Sequence, residues 1–314
     1  MKEERLIPNP DIAVQVSQLR RTFGKFVAVD DIDLTVRKGE IFGFLGPNGA
    51  GKSTTIKMLC GLLLPSGGKG TVAGFDVKKE SEQIKQNIGY MSQKFSLYDD
   101  LTVEENIDFY SGIYNVPSEK KKERKEWVLR MAELQDSHDT LTKTLPGGLK
   151  QRLALGCAIL HEPPIIFLDE PTSGVDPLSR RNFWNMIYQM AQEGITIFVT
   201  THYMDEADYC DRLALIYRGR IIAEGTPHEL RDVFMKRDVL EIEASPFVEA
   251  MEILHDKGIE TAIFGTLLHA TVDKAEISIP LIRKYLETAD IQVGRIEEIS
   301  PSLEDVFVTL IEVA

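Results

Sequence analysis

The alternation of apolar and polar positions changes period several times along the chain, and each change predicts an element. Ile41-Phe42-Gly43-Phe44-Leu45 is an unbroken short apolar run, as expected of a strand buried on both faces. Thr55-Ile56-Lys57-Met58-Leu59 then takes on helical character. Residues 12–92 read as strands alternating with that helix, and about 93–160 as helical. Ile165-Ile166-Phe167-Leu168 and Ile195-Thr196-Ile197-Phe198-Val199-Thr200 are again apolar runs, and residues 216–222 resemble a hairpin. Glu119-Lys120-Lys121-Lys122-Glu123-Arg124-Lys125-Glu126 predicts a solvated helix face.

The last eighty or so residues follow a different order. Leu240, Ile242 and Ala244 alternate as in a strand, and Phe247, Met251 and Leu254 recur at helical spacing before Gly258. Space for a strand near residues 261–264 precedes a second alternation at Leu268, Ala270 and Val272. Pro280 is read as opening a helix carrying Ile282, Tyr285 and Leu286, and Ile291-Gln292-Val293 returns to strand. This order predicts a βαββαβ ferredoxin-like unit. Ser300-Pro301 is expected to start a terminal helix, with a polar cap and proline in the first turn. No catalytic constellation lies here, so a packing or dimer-stabilising appendage is favoured over a ligand sensor. The predicted organisation is a lead-in (1–11), an α/β domain (12–233) with a helical subdomain (about 93–160), and an α+β accessory domain (234–314).

Candidate chemistry begins directly after the first buried strand. Gly46-Pro47-Asn48-Gly49-Ala50-Gly51-Lys52-Ser53-Thr54 satisfies G-x-x-x-x-G-K-[ST], the phosphate-loop pattern. Glycines let backbone N–H groups turn around a phosphate, and the helix N-terminus adds positive potential. Lys52 reaches the β- and γ-phosphates in such a loop, and the Ser53 hydroxyl ligates Mg²⁺. A chance glycine-rich turn would lack the strand before and the helix after, so a nucleoside triphosphate and Mg²⁺ are the expected ligands. Asp169-Glu170 ends a second buried run, where α/β sheets bind ligands. Asp169 is expected to face the magnesium and Glu170 to lie near the γ-phosphate as a candidate general base. In isolation the same pair would read equally well as a solvated loop start.

Four further pieces fall in order. Phe23 and Gly24 are read as preceding the first strand pair, Gln93 follows the run 88–92, Leu145-Pro146-Gly147-Gly148-Leu149-Lys150-Gln151-Arg152 precedes Asp169, and His202 ends the run 195–200. Over about residues 12–230 this series resembles the nucleotide-binding subunit of ATP-binding-cassette (ABC) transporters, a P-loop NTPase fold. Gly174-Val175-Asp176-Pro177 and Ser302-Leu303-Glu304-Asp305-Val306-Phe307 narrow the resemblance to subunits that drive ABC-2-type exporters, including drug-resistance and polysaccharide-export ATPases. The resemblance implies that Phe23 stacks on adenine and that Gln93 senses the γ-phosphate and Mg²⁺. It implies further that His202 holds the attacking water, that Asp176 bridges to an opposite subunit, and that Pro146, Gly147 and Gly148 face the nucleotide in trans. Taken singly, Phe23 reads as core and His202 as a satisfied polar residue at a strand end. The chain departs from the family at its signature, where Leu145-Pro146-Gly147-Gly148-Leu149 stands in place of Leu-Ser-Gly-Gly-Gln.

Composition narrows the function classes. The chain has 314 residues, with 36 basic against 49 acidic side chains, a net charge of −13 that argues against broad nucleic-acid binding. Cys60, Cys157 and Cys210 suggest neither a disulfide framework nor a zinc site. No apolar run approaches the roughly 20 residues that span a bilayer, and no signal-peptide core follows the charged start. The expected protein is therefore soluble and peripheral on the cytosolic face of a bacterial inner membrane. It works as a homodimer or heterodimer of ATPase subunits and powers a separate ABC-2-type permease, with multidrug efflux among the exports the resemblance suggests. The rival readings are a non-transport cassette acting on ribosomes or DNA, and a weakly catalytic regulatory subunit. Cargo is not legible, because cargo contacts lie in the permease.

Overall fold

The computed structural model describes residues 9–94, 96–235 and 237–313, so the lead-in expected over 1–11 lies largely outside the described residues. The chain divides after Pro227 into two compact units, six residues ahead of the boundary read from composition.

In chain order the first unit contains β1 (Ile12–Phe23), β2 (Phe26–Arg37), β3 (Ile41–Leu45), α1 (Lys52–Leu59), β4 (Gly67–Val72), β5 (Phe75–Asp76), α2 (Ser81–Gln86) and β6 (Ile88–Met91). It continues with α3 (Val103–Ile113), α4 (Ser118–Met131), α5 (Gly147–Ala158), β7 (Ile165–Asp169), α6 (Pro177–Gln192), β8 (Thr196–Thr201), β9 (Arg212–Tyr217) and β10 (Arg220–Gly225). One sheet is antiparallel, in the order β2-β1-β4-β5. The other runs β10-β9-β3-β8-β7-β6 and is parallel except for the β9–β10 hairpin.

The continuous apolar runs become central strands because both faces of this second sheet are covered. Period-two alternation sends Phe42, Phe44, Phe167 and Phe198 to one face, where their rings pack 5.4–5.7 Å apart on Phe198 in a core shared with β1, β2 and α1. Ile41, Ile166, Leu168, Ile197 and Val199 point to the other face and meet Phe183, Trp184 and Ile187 of α6. Because β3, β6, β7 and β8 are parallel, the chain leaves all four at the same edge. Gly46, Gln93, Glu170 and His202 therefore converge from four distant stretches of sequence.

The helical stretch is built on α3, α4 and α5, whose core includes Ile107, Val128, Leu153 and Leu160. Thr102 and Glu105 close a capping box on α3. The charge run on α4 is more than a solvated face. Arg124 donates to the carbonyls of Ile159 and Leu160 at 3.0 and 3.1 Å, and Lys125 pairs with Glu104 and Asp108. A second difference concerns Phe23. It ends β1 at the hairpin tip, paired with Phe26, because Gly24 at φ +58° turns the chain after the strand has formed.

After α7 (Pro227–Phe234), the second unit contains β11 (Asp238–Ser245), α8 (Phe247–Asp256), β12 (Glu260–Phe264), β13 (Leu267–Val272), α9 (Ala275–Thr288), β14 (Gln292–Ile299) and α10 (Leu303–Val313). Its antiparallel sheet has the order β12-β13-β11-β14, the ferredoxin-like arrangement of a βαββαβ chain. Two helix starts differ from the sequence reading. Helix α9 begins at Ala275, whose N–H is accepted by Asp238 at 2.7 Å, so Pro280 lies inside the helix. Helix α10 is capped by Ser302 rather than Ser300, because Asp305 reaches back to the Ser302 N–H at 2.7 Å while Ser302 Oγ accepts from the Asp305 N–H at 3.2 Å.

Candidate functional site

The loop between β3 and α1 has the geometry of a phosphate cradle. Gly51 takes φ +111° at the N-cap of α1, and a Cβ there would sit 2.5 Å from the Ala28 carbonyl oxygen. Gly46 is hemmed in equally, since its Cβ would lie 2.2 Å from the Ile216 carbonyl. Both positions thus exclude any side chain, and only glycine lets the loop pack this closely against β2 and β9. Asn48, Gly49, Ala50 and Thr54 lie in or beside this loop, and Gly49 (φ +82°) has open space around it.

Lys52 is buried and folds back into the loop, donating to the carbonyls of Gly46 and Pro47 at 2.7 and 3.1 Å. Its ammonium also lies 3.0 Å from Glu170 Oε1, an ion pair between side chains 4% and 6% exposed. Glu170 Oε2 accepts from Gln93 Nε2 at 3.0 Å and lies 3.2 Å from His202 Nδ1. One carboxylate therefore gathers Lys52, Gln93 and His202. Glu170 is held at φ +48°, the left-handed region that a non-glycine residue enters at a cost of about 1–3 kcal/mol. Its N–H is fixed in return by Thr200, whose carbonyl and hydroxyl oxygens accept at 3.1 and 3.0 Å.

Asp169 sits behind this cluster. Its Oδ1 accepts from Ser53 Oγ at 3.0 Å and from Thr200 Oγ1 at 2.8 Å. Burial raises its pKa above the ordinary aspartate value, and the Thr200 and Ser53 hydrogen bonds pull the other way. A hydroxyl beside a carboxylate is an oxygen donor set suited to a small hard cation, so Ser53 and Asp169 fit Mg²⁺. Thr200 was not singled out from the sequence. The available signal is a hydroxyl at the end of an otherwise apolar run, facing the strand that ends in Asp169-Glu170.

The remaining sequence candidates lie elsewhere in the unit. Phe23 is 47% exposed, with the Arg21 guanidinium 4.6 Å from its ring centroid. Pro146 is the N-cap of α5, and its carbonyl accepts from Leu149 and Lys150. Gly147 is open, whereas a Cβ on Gly148 would meet Ser179 Oγ of the same chain at 2.5 Å. Close packing on α6 is thus already a reason for glycine at 148. Asp176 caps α6 through the Ser179 N–H at 3.0 Å, and hydrogen bonding to Ser179 lowers its pKa. The three cysteines are free and buried.

A phosphate loop, an Asp-Glu strand end and a histidine strand end on one parallel sheet form a combination that comparison with known proteins resolves. A family model described as "ABC transporter" matches residues 29–173, and one described as "ATP-binding protein DrrA1-3-like, C-terminal domain" matches 225–311. The daunorubicin/doxorubicin resistance ATP-binding protein DrrA of Streptomyces peucetius is 35% identical over 318 residues, covering 96% of this chain and 93% of the relative. This chain belongs to the ABC transporter ATP-binding family. The probable multidrug ABC transporter ATP-binding protein YbhF of Escherichia coli (strain K12) is 52% identical over 224 residues, covering 70% of this chain. That alignment spans 38% of YbhF. A solved dimeric cassette in a post-hydrolysis state, bound to ADP and Pi, shares the fold with a TM-score of 0.61 and 25% identity, over 68% of this chain and 98% of that one.

Proposed function

We propose that this cassette binds and hydrolyses ATP and that its hydrolysis powers export through a separate integral-membrane permease of ABC-2 type. The observation that carries the reading is the convergence of Lys52, Gln93 and His202 on the buried carboxylate of Glu170 beside the phosphate loop. The loop amides and Lys52 bind the triphosphate, and Phe23 offers a ring face to the adenine. Bound between Ser53 and Asp169, Mg²⁺ would neutralise charge on the phosphates. Glu170 orients a water and accepts its proton, and His202 stays beside the same carboxylate to hold water and γ-phosphate in line. Gln93 couples the occupied site to the helical subdomain, which follows it in the chain. Positioning and charge neutralisation supply most of the catalysis.

The cassette works as a dimer in which Pro146-Gly147-Gly148 and Asp176 of each subunit face the nucleotide held by the other. It lies peripherally on the cytosolic side of a membrane, and the accessory domain from residue 228 onward stabilises packing or dimerisation. Among the described residues no helix is long and apolar enough to cross a membrane, so a permease supplies the path. Relatives named for drug resistance favour export over the ribosome or DNA reading. Phosphate release by the purified chain, with and without co-purified permease, is the test. Mg²⁺-dependent release that rises with the permease is expected. Release absent in both preparations, or no membrane protein retained, would overturn the reading.

A further inference from the structure

The turn after His202 buries a carboxylate that the proposed hydrolysis does not use. Glu206 lies in the turn Met204–Tyr209 and is 0% exposed. Its Oε1 accepts from Thr172 Oγ1 at 2.6 Å and lies 3.5 Å from Arg180 Nε, while Oε2 has no hydrogen-bond partner among the described residues. Burying a carboxylate is costly, and leaving one oxygen unmatched makes it costlier. A purely apolar plug would fill the same space without that penalty.

The connections suggest what the carboxylate does. Thr172 is two residues after Glu170, and Glu206 is four residues after His202. The Thr172–Glu206 bond therefore ties the segment leaving Glu170 to the segment leaving His202, across two different strand ends. Arg180 of α6 adds a second tie. Its guanidinium lies 4.1 Å from the centroid of the Tyr203 ring, whose own centroid is 4.1 Å from that of His202, and its Nη1 is 3.4 Å from Asp205. From the other side, Gln151 of α5 donates to the carbonyl of Pro171, which lies between Glu170 and Thr172.

We propose that Glu206 is a positioning residue for hydrolysis, holding Thr172 and Arg180 so that Glu170 and His202 keep their 3.2 Å contact. This inference rests on the ATPase reading above. Glu170 sits in a left-handed backbone conformation that relaxes unless its neighbours over-determine it. Thr172 supplies one such restraint directly downstream. A displacement of about 1 Å at a reacting group can cost on the order of 10²-fold in rate while leaving substrate contacts elsewhere intact.

The test measures phosphate release against ATP concentration for the full chain and its Thr172→Val, Thr172→Ser and Glu206→Gln variants. Thr172→Val keeps side-chain volume and removes the hydroxyl, so kcat should fall by about 10- to 100-fold with KM changed less than about threefold. Thr172→Ser restores the hydroxyl and should return kcat to within about twofold of the parent. Glu206→Gln keeps an acceptor for Thr172 but loses the charge facing Arg180, and kcat should fall by about tenfold. In a Glu170→Gln background Thr172→Val should cost nothing further, because the residue acts through Glu170. The proposal is overturned by parent-like kcat in Thr172→Val, by a raised KM at constant kcat, or by failure of serine to rescue. Should Glu206→Gln not fold, the two Thr172 variants decide. A parent chain without ATPase activity would overturn the ATPase reading instead.

Discussion

Replacing Glu170 by glutamine separates its proposed role as a base from its observed pairing with Lys52. The amide keeps the side chain's size and one acceptor oxygen, so Gln93 or His202 retains a hydrogen bond. Loss of a general base costs roughly 10²–10⁴-fold, and kcat should fall by at least the lower figure. The effect on Lys52 has the opposite sign for binding. Glu170 holds the ammonium at 3.0 Å and competes with an incoming triphosphate, so removing the charge should leave ATP affinity unchanged or tighter. Breaking a buried ion pair by removing one partner costs about 3–5 kcal/mol. Here the ammonium keeps the carbonyls of Gly46 and Pro47 at 2.7 and 3.1 Å, so the loss should fall below that range. Melting should therefore come at a lower temperature without nucleotide, and ATP at 100 times its Kd should return about 2.7 kcal/mol. The assays are phosphate release at saturating ATP and Mg²⁺, equilibrium ATP binding, and thermal melting with and without ATP. Turnover within a few-fold of the parent would remove Glu170 from catalysis. Weaker ATP binding would refute the view that the carboxylate competes for Lys52.

Lys52→Ala should differ by losing nucleotide affinity as well as turnover, since it removes the cation and leaves Glu170 buried without it; equilibrium ATP binding separates the two variants. Asp169→Asn follows from the raised pKa of Asp169. The folded state favours the protonated form, so the group's stabilising contribution is present at acid pH and lost as pH rises through the elevated pKa. At neutral pH the asparagine variant should melt no lower than the parent without Mg²⁺ and nucleotide, yet fail to hydrolyse ATP, and a lower melting temperature with Mg²⁺-dependent turnover intact would refute this. Pro146→Ser places a hydroxyl at the N-cap of α5, and in the dimer proposed above it should add one charge-assisted bond to the partner's nucleotide, about 1.5–3 kcal/mol. The ATP-bound dimer in a Glu170→Gln background should tighten about tenfold or more, and an unchanged dissociation constant would mean the loop is built around proline.

Much of this was legible in the chain because the relevant signals are local. A phosphate loop is contiguous, its glycines answer to backbone geometry, and an apolar run without alternation requires cover on both faces wherever it sits. The βαββαβ order of the second unit was equally readable, since period two and period 3.6 alternate within short windows there. Helix starts were less so. Ser302 rather than Ser300 caps α10 because Asp305 reaches back to it, and α9 begins before Pro280 because Asp238, far off in sequence, receives its first N–H.

What only the tertiary structure decided is which atoms share a partner. Nothing in the sequence says that one carboxylate, Glu170, meets Lys52, Gln93 and His202 together, for those residues span 150 positions and meet only because four strands run parallel. Thr200 was invisible as a site residue for the same reason, and so was Glu206. A hydroxyl at a strand end and a carboxylate in a turn are unremarkable locally. Burial and a partner across the sheet give them their energetic weight, and both are properties of packing.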